Sequence, residues 1–222
     1  MKKIGIIGAG ISGLVLASLL KQNGNYKISI FEKDNINNKN LNGIQISPNA
    51  TRILKKINFD NFDKNKFFSL KELSFYDYIL EQKISTMNFS YLEKDSYIAL
   101  NRNDLINFLI NQFSLNDNLI QKEVIHVNEK TVLLDDNSKF NFDILIIADG
   151  IFSKLRLKNI KPIYSGYSAF RGFFSSTTQN STIDLWMGKD FHLVKYPIDK
   201  SKNNSFTLVK KITYSNDISN YN

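Results

Sequence analysis

The 222-residue chain contains no cysteine. That absence excludes disulfides, thiolate nucleophiles, iron–sulfur clusters and cysteine-ligated zinc. Histidine is almost as scarce: His126 and His192 are the only two, far apart in sequence and outside any H-E-x-x-H pattern, so no metal site is expected. Proline occurs three times, and no Pro- or Gly-rich linker or internal repeat divides the chain. Trp186 is the single tryptophan. The nearly uncharged stretch Ile4 to Leu20 has 17 residues, four of them glycine. It falls short of the roughly 20 apolar residues of a membrane-spanning helix, so no integral membrane association is expected.

What is present is ordinary for a globular protein, with 42% hydrophobic and 23% charged residues. The formal net charge of +8 is a balance that can favour nucleic acid or an anionic surface. The lysines are scattered, with pairs at Lys2-Lys3, Lys55-Lys56 and Lys210-Lys211, and no nucleic-acid motif accompanies them. Nucleic acid is therefore not an expected partner.

Two lysines followed by the apolar run Ile4 to Leu20 have the outline of a secretory signal peptide. Such a peptide ends in small residues at a cleavage site. Here the run passes into Lys21-Gln22-Asn23-Gly24 and on to a second apolar segment, Lys27 to Phe31, so the expected location is cytoplasmic. The spacing predicts a βαβ unit: a buried strand over Lys3 to Ile7, a helix over Ile11 to Asn23 closed by a left-handed Gly24, and a second strand over Lys27 to Phe31. Gly8-Ala9-Gly10-Ile11-Ser12-Gly13 falls between strand and helix, and Glu32 ends the second strand 19 residues after Gly13. That is the setting of the dinucleotide fingerprint. Gly8 permits the tight turn, Gly10 lacks the Cβ that would block a pyrophosphate, and Gly13 lets the helix approach the strand. The helix start offers free N–H groups and partial positive charge to phosphates. Glu32 can accept from ribose hydroxyls and repels a 2′-phosphate, which favours FAD or NAD over NADP. The expected cofactor residues here are Gly8, Gly10, Ser12, Gly13, Glu32 and its neighbour Lys33.

Later segments separate the two dinucleotides. In "FDILIIADGIFSKLR", an apolar strand over Ile144 to Ala148 ends in Asp149-Gly150. The segment resembles the D-x-x-x-G-A-D-G-x-x-S-x-x-R motif of the FAD-dependent aromatic hydroxylases, the para-hydroxybenzoate and salicylate hydroxylase-like group. Asp143, Ala148, Asp149, Gly150, Ser153 and Arg156 match it, and Ile147 stands where the family has glycine. "NGIQISPNATRIL" is similar to the segment in which Gly43-Ile44-Gln45 passes near the flavin before a helix over Pro48 to Ile57. "LNRNDLINFLI" resembles L-x-R-x-x-L-x-x-x-L, with Leu100, Arg102, Leu105 and Leu109 in register; the resemblance implies that Arg102 contacts the cofactor. "YSGYSAFRGFF" and "WMGKDFHLVKYPI" resemble the strands that open the substrate domain.

The resemblance implies an α/β fold: a Rossmann-like FAD-binding domain over 1–69 and 100–160, interleaved with an incomplete antiparallel β-sheet substrate domain over 70–99 and 161–222. It implies a monooxygenase in which NAD(P)H reduces FAD and a flavin C4a-hydroperoxide formed with O2 hydroxylates a small aromatic substrate. Gln45, Arg171 and Tyr196 are the expected substrate-side residues, with His192 nearby in sequence. Glutamine cannot act as a base, so Gln45 is restricted to hydrogen bonding. Arg171 suits a carboxylate or phosphate. The family's later G-D-x-x-H segment is not found, so a non-catalytic dinucleotide-binding remnant is the alternative expectation, beside another flavoprotein reductase of the same fold. A halogenase would show W-x-W-x-I-P, which a lone Trp186 forbids.

Overall fold

A computed structural model describes residues 1–36, 42–156 and 162–212. In chain order the first elements are β1 (Lys2–Ile7), α1 (Ile11–Gln22), β2 (Tyr26–Glu32), β3 (Gly43–Ile46), α2 (Pro48–Lys55), β4 (Phe67–Ser69), β5 (Glu72–Asp77), β6 (Gln82–Asn88), β7 (Ile98–Asn101) and α3 (Arg102–Gln112). There follow β8 (Leu119–Gln121), β9 (Val124–Asn128), β10 (Thr131–Leu134), β11 (Lys139–Asn141) and β12 (Ile144–Ile147). The last are β13 (Tyr167–Ser175), β14 (Thr182–Met187), β15 (Phe191–Pro197) and β16 (Asn203–Lys211).

The chain divides into two compact units, the first comprising Met1–Asn40, Ile53–Phe62 and Asn103–Pro162. Its centre is a parallel sheet in the order β12-β1-β2-β8. β1 is buried over its last four residues, as a central parallel strand covered on both faces must be, which explains its unbroken apolar run. Leu14 and Ala17 of α1 are fully buried, and Ser18, equally buried, donates its hydroxyl proton to the Leu14 carbonyl at 2.8 Å. The antiparallel meander β9-β10-β11 adds Val124, Val132 and Leu134 to a core shared with Ile7 and Phe31. Phe140 and Phe142 meet the Phe31 ring edge-on. Phe59 and Phe62 stack on each other and meet Phe108 of α3 edge-on.

The second unit comprises Leu41–Arg52, Asp63–Arg102 and Ile163–Asn222. Residues 41–52, 63–69 and 100–102, expected in the flavin domain, group here because β3 and β4 both pair antiparallel with β7. A six-stranded sheet runs β13-β16-β15-β14-β5-β6. It is antiparallel except for the parallel pair β5–β14; the alternation along Leu70 to Phe89 in the sequence predicts a hairpin-like antiparallel pair, and β5–β6 is that pair. Leu70, Phe89, Ala99, Ile183, Tyr196 and Ile198 form this unit's core. Among the described residues no helix is long and apolar enough to cross a membrane, and no group of His, Asp and Glu could hold a metal ion.

Candidate functional site

In the first unit, the turn after β1 joins two backbone constraints. Gly8 has φ +102°, and its N–H donates to the Phe31 carbonyl at 2.7 Å. A Cβ on Gly8 would lie 2.5 Å from the Ala148 carbonyl oxygen and 2.9 Å from the Asp149 Cα. Only glycine fits where the ends of β1 and β12 come this close. A Cβ on Gly13 would stand 2.1 Å from the Gly8 carbonyl oxygen, so Gly13 lets α1 begin directly over the turn. Gly10 is the N-cap with extended backbone, no side chain caps the helix, and its first turn carries no acidic residue. The start of α1 thus presents N–H groups and positive partial charge without a competing carboxylate of its own. Ser12 is exposed in that first turn.

Glu32 ends β2 beside this turn. The Ala9 N–H donates to Glu32 Oε2 at 2.8 Å, and the Asp34 N–H to Oε1 at 3.0 Å. Both oxygens are oriented by backbone and keep lone pairs for further donors. Lys33 is exposed; after the Lys154 ion pair at 2.7 Å, its charge helps to hold the Glu123 carboxyl below the usual carboxylate range.

The second motif closes on the same place. The Ala148 N–H donates to the Ile7 carbonyl at 2.7 Å, which carries the chain from β12 into Asp149-Gly150 beside Gly8. Gly150 has φ +82°. Three matched motif residues prove to be scaffold for this turn. Asp143 Oδ2 accepts the Lys3 N–H at 2.7 Å, while the Asp143 N–H donates to the Lys3 carbonyl at 2.9 Å, and so β12 is locked in register with β1. The Ser153 N–H donates to the Gly150 carbonyl at 3.3 Å, and Ser153 Oγ accepts the Leu155 N–H at 3.2 Å. Arg156 donates to the carbonyls of Gly150 and Ile151. The structure therefore brings Gly8, Gly10, Ser12, Gly13, Glu32, Asp149 and Gly150 together at the carboxyl ends of β1, β2 and β12, the place where open parallel sheets bind ligands.

The remaining site residues lie in the second unit. Gln45 is on β3, opposite Ala99 of β7. Arg102 starts α3, half-buried, with its N–H donating to the Asn42 carbonyl at 2.8 Å. Tyr196 on β15 pairs with Ser205, and Arg171 on β13 pairs with Thr207, so alternation sets all four on one face of the six-stranded sheet. His192 shares that face four residues from Tyr196. A Cβ on Gly43 would meet Ser205 Cβ at 2.3 Å, so β3 lies against the same face. Tyr196 is 6% exposed. Burial pushes its phenol up, partly offset by the Ser205 hydroxyl and the Arg171 charge. Sequence reading did not single out Tyr97, whose hydroxyl donates to Gln45 Oε1 at 2.7 Å. Burial pushes the Tyr97 phenol up, and Tyr196 adds to it. Its position two residues before Ala99 becomes meaningful only once the β3–β7 register is known.

Two raised phenols have a measurable consequence. Below the ordinary tyrosine value of 10.0 they are protonated in folded and unfolded chains alike. As pH rises through that value the unfolded chain loses these protons first, so unfolding gains and stability falls towards the raised values. Urea midpoints measured from pH 8 to about 11 should decline, and the decline should be shallower in Tyr97→Phe.

Comparison with known proteins supports the same architecture. Residues 6–37 match the family description "NAD(P)-binding Rossmann-like domain". The chain is 25% identical over 216 residues to 3-hydroxybenzoate 6-hydroxylase 1 of Aquipseudomonas alcaligenes, covering 89% of this chain and 55% of that one. It is 28% identical over 198 residues to the chloroplastic zeaxanthin epoxidase of Nicotiana plumbaginifolia, covering 77% and 28%. A crystal structure of a Klebsiella pneumoniae HpxO variant complexed with FAD superposes with TM-score 0.82 at 20% identity, covering 98% of this chain and 59% of that one. The chain spans about half the length of the hydroxylases it matches. The resemblance carried by the motifs thus extends to the fold and to sequence along most of the chain: the chain is similar in sequence to 3-hydroxybenzoate 6-hydroxylase and salicylate hydroxylase, and in fold to a protein solved in complex with FAD.

Proposed function

We propose that the chain binds FAD and forms the cofactor- and substrate-binding part of a monooxygenase that hydroxylates a small aromatic compound with NAD(P)H and O2. The observation that carries this reading is the turn at Gly8 to Gly13 with Glu32 already bonded to the Ala9 N–H. The residues fit the cofactor: a cradle that a Cβ would fill, an uncapped helix start for the diphosphate, and an oriented carboxylate for the adenosine ribose. Bound there, the flavin supplies hydride acceptance and oxygen activation, which none of the protein's side chains can provide.

The N–H groups of Gly10 to Gly13 would hold the diphosphate, with Ser12 and Lys33 at its margin. Asp149 and Gly150 would close the cradle from the β12 side. By resemblance Arg102 is assigned to the flavin, and Gln45 to the place where flavin and aromatic ligand meet. Arg171 pairs a substrate carboxylate, and Tyr196, kept protonated, donates a hydrogen bond rather than acting as a base.

The matched family description favours a second reading, with NAD(H) in the cradle. One titration separates the two. Purified protein should quench FAD fluorescence on binding, ADP should compete, and NADH should compete poorly. NADH binding with no response to FAD would overturn the flavin reading. In the FAD-loaded protein, hydroxybenzoates should stimulate NAD(P)H oxidation and O2 uptake.

A further inference from the structure

Gln45 has a partner that sets which of its two faces a ligand can meet. The Tyr97 hydroxyl donates to Gln45 Oε1 at 2.7 Å. Tyr97 is itself held from three sides: its carbonyl accepts the Leu70 N–H at 2.9 Å, its ring packs on Phe89 at 5.1 Å between centroids, and its chain runs directly into β7. β3 and β7 pair with Gln45 opposite Ala99, so Gln45, Ala99 and Tyr97 share one face by alternation. Ala99 is fully buried in the second unit's core, so this is the inward face. A carboxamide whose oxygen is held by a fixed donor is fixed in orientation, so its two N–H donors point to the side away from that donor, while the oxygen's second lone pair stays on the donor's side.

We infer that Tyr97 is a positioning residue: it locks the Gln45 carboxamide with its NH2 turned away from the Tyr97 hydroxyl, so this site selects ligands that present a hydrogen-bond acceptor, a phenolate or carbonyl oxygen, at that point. The inference rests on the reading that Gln45 faces the ligand. Without Tyr97 the amide is free to turn, and it would offer oxygen or nitrogen with little preference. A site built to donate rejects a ligand lacking the acceptor because its own polar group then stays unpaired.

The test compares 4-nitrophenolate with nitrobenzene, a probe of similar shape without the phenolic oxygen, on the full chain with FAD in excess. Wild type should bind the phenolate more tightly and raise the ionised fraction of bound 4-nitrophenol, read by its visible absorbance. Tyr97→Phe should lose about fivefold in phenolate affinity, as expected for one oriented hydrogen bond of about 1 kcal/mol, with nitrobenzene affinity unchanged. A merely structural role would weaken both probes alike. In wild type alone, the 15N side-chain amide signals of Gln45, identified by their loss in Gln45→Glu, should move with phenolate and not with nitrobenzene. Equal phenolate binding by wild type and Tyr97→Phe would overturn the role of Tyr97 and leave the site reading intact. Gln45 signals unmoved by the phenolate, or wild type that does not prefer it, would overturn Gln45 as a ligand group. FAD binding, measured separately by quenching, reports on the cradle itself.

Discussion

Gly13→Val is expected to abolish cofactor binding and to weaken the first unit as well. Alanine at Gly13 already places a Cβ 2.1 Å from the Gly8 carbonyl oxygen, which is backbone and cannot swing aside. Valine adds two methyls, so α1 must back away from β1. Overpacking of this kind costs about 1–3 kcal/mol. The larger effect falls on the ligand, because a displaced helix start no longer points its N–H groups at the diphosphate. Losing two charge-assisted bonds of about 1.5 kcal/mol each corresponds to roughly a 100-fold or greater loss of FAD affinity. Fluorescence quenching and a urea midpoint on the same preparation check both halves. Unchanged FAD affinity in a folded variant would place the diphosphate elsewhere.

The second large effect belongs to Glu32. Glu32→Ala leaves the Ala9 and Asp34 N–H groups without their acceptor and strips the bonds expected to the adenosine ribose. Each hydrogen bond to a charged group contributes about 1.5–3 kcal/mol, so the expected loss in FAD or ADP affinity is on the order of 10- to 100-fold. Glu32→Gln discriminates between charge and geometry. It retains an acceptor oxygen for Ala9 but removes the negative charge, so its affinity for 2′,5′-ADP relative to 5′-ADP should rise. Calorimetric titration of both nucleotides reads this ratio. A ratio that stays at the wild-type value would remove Glu32 from the ribose.

The readability of this chain follows sequence distance. The βαβ unit was legible because its signals are local: an apolar strand, glycines at fixed offsets, a helix closed by Gly24 at φ +71°, and an acid ending the next strand. The β5–β6 hairpin was legible for the same reason. The placement of β3 and β4 was not, because both segments are defined by their pairing with β7, more than 25 residues later in the chain for each. The same limit hid Tyr97, which precedes the strand that gives it meaning. The motif at Asp143 to Arg156 was recognised as a unit, but its division of labour was not. Asp143, Ser153 and Arg156 brace a turn by backbone hydrogen bonds, and Asp149 and Gly150 are what the bracing presents beside Gly8. Lys33 adjoins Glu32 in sequence yet lies exposed, near the Glu123 carboxylate.

Among the described residues β12 pairs on one side only, with β1, and Ile144 and Ile147 on it are 40% and 47% exposed. A margin of this kind, with open amides and greasy side chains, is a template on which another strand can pair. A further strand, of the same polypeptide or of another, would find its pairing groups ready along that margin.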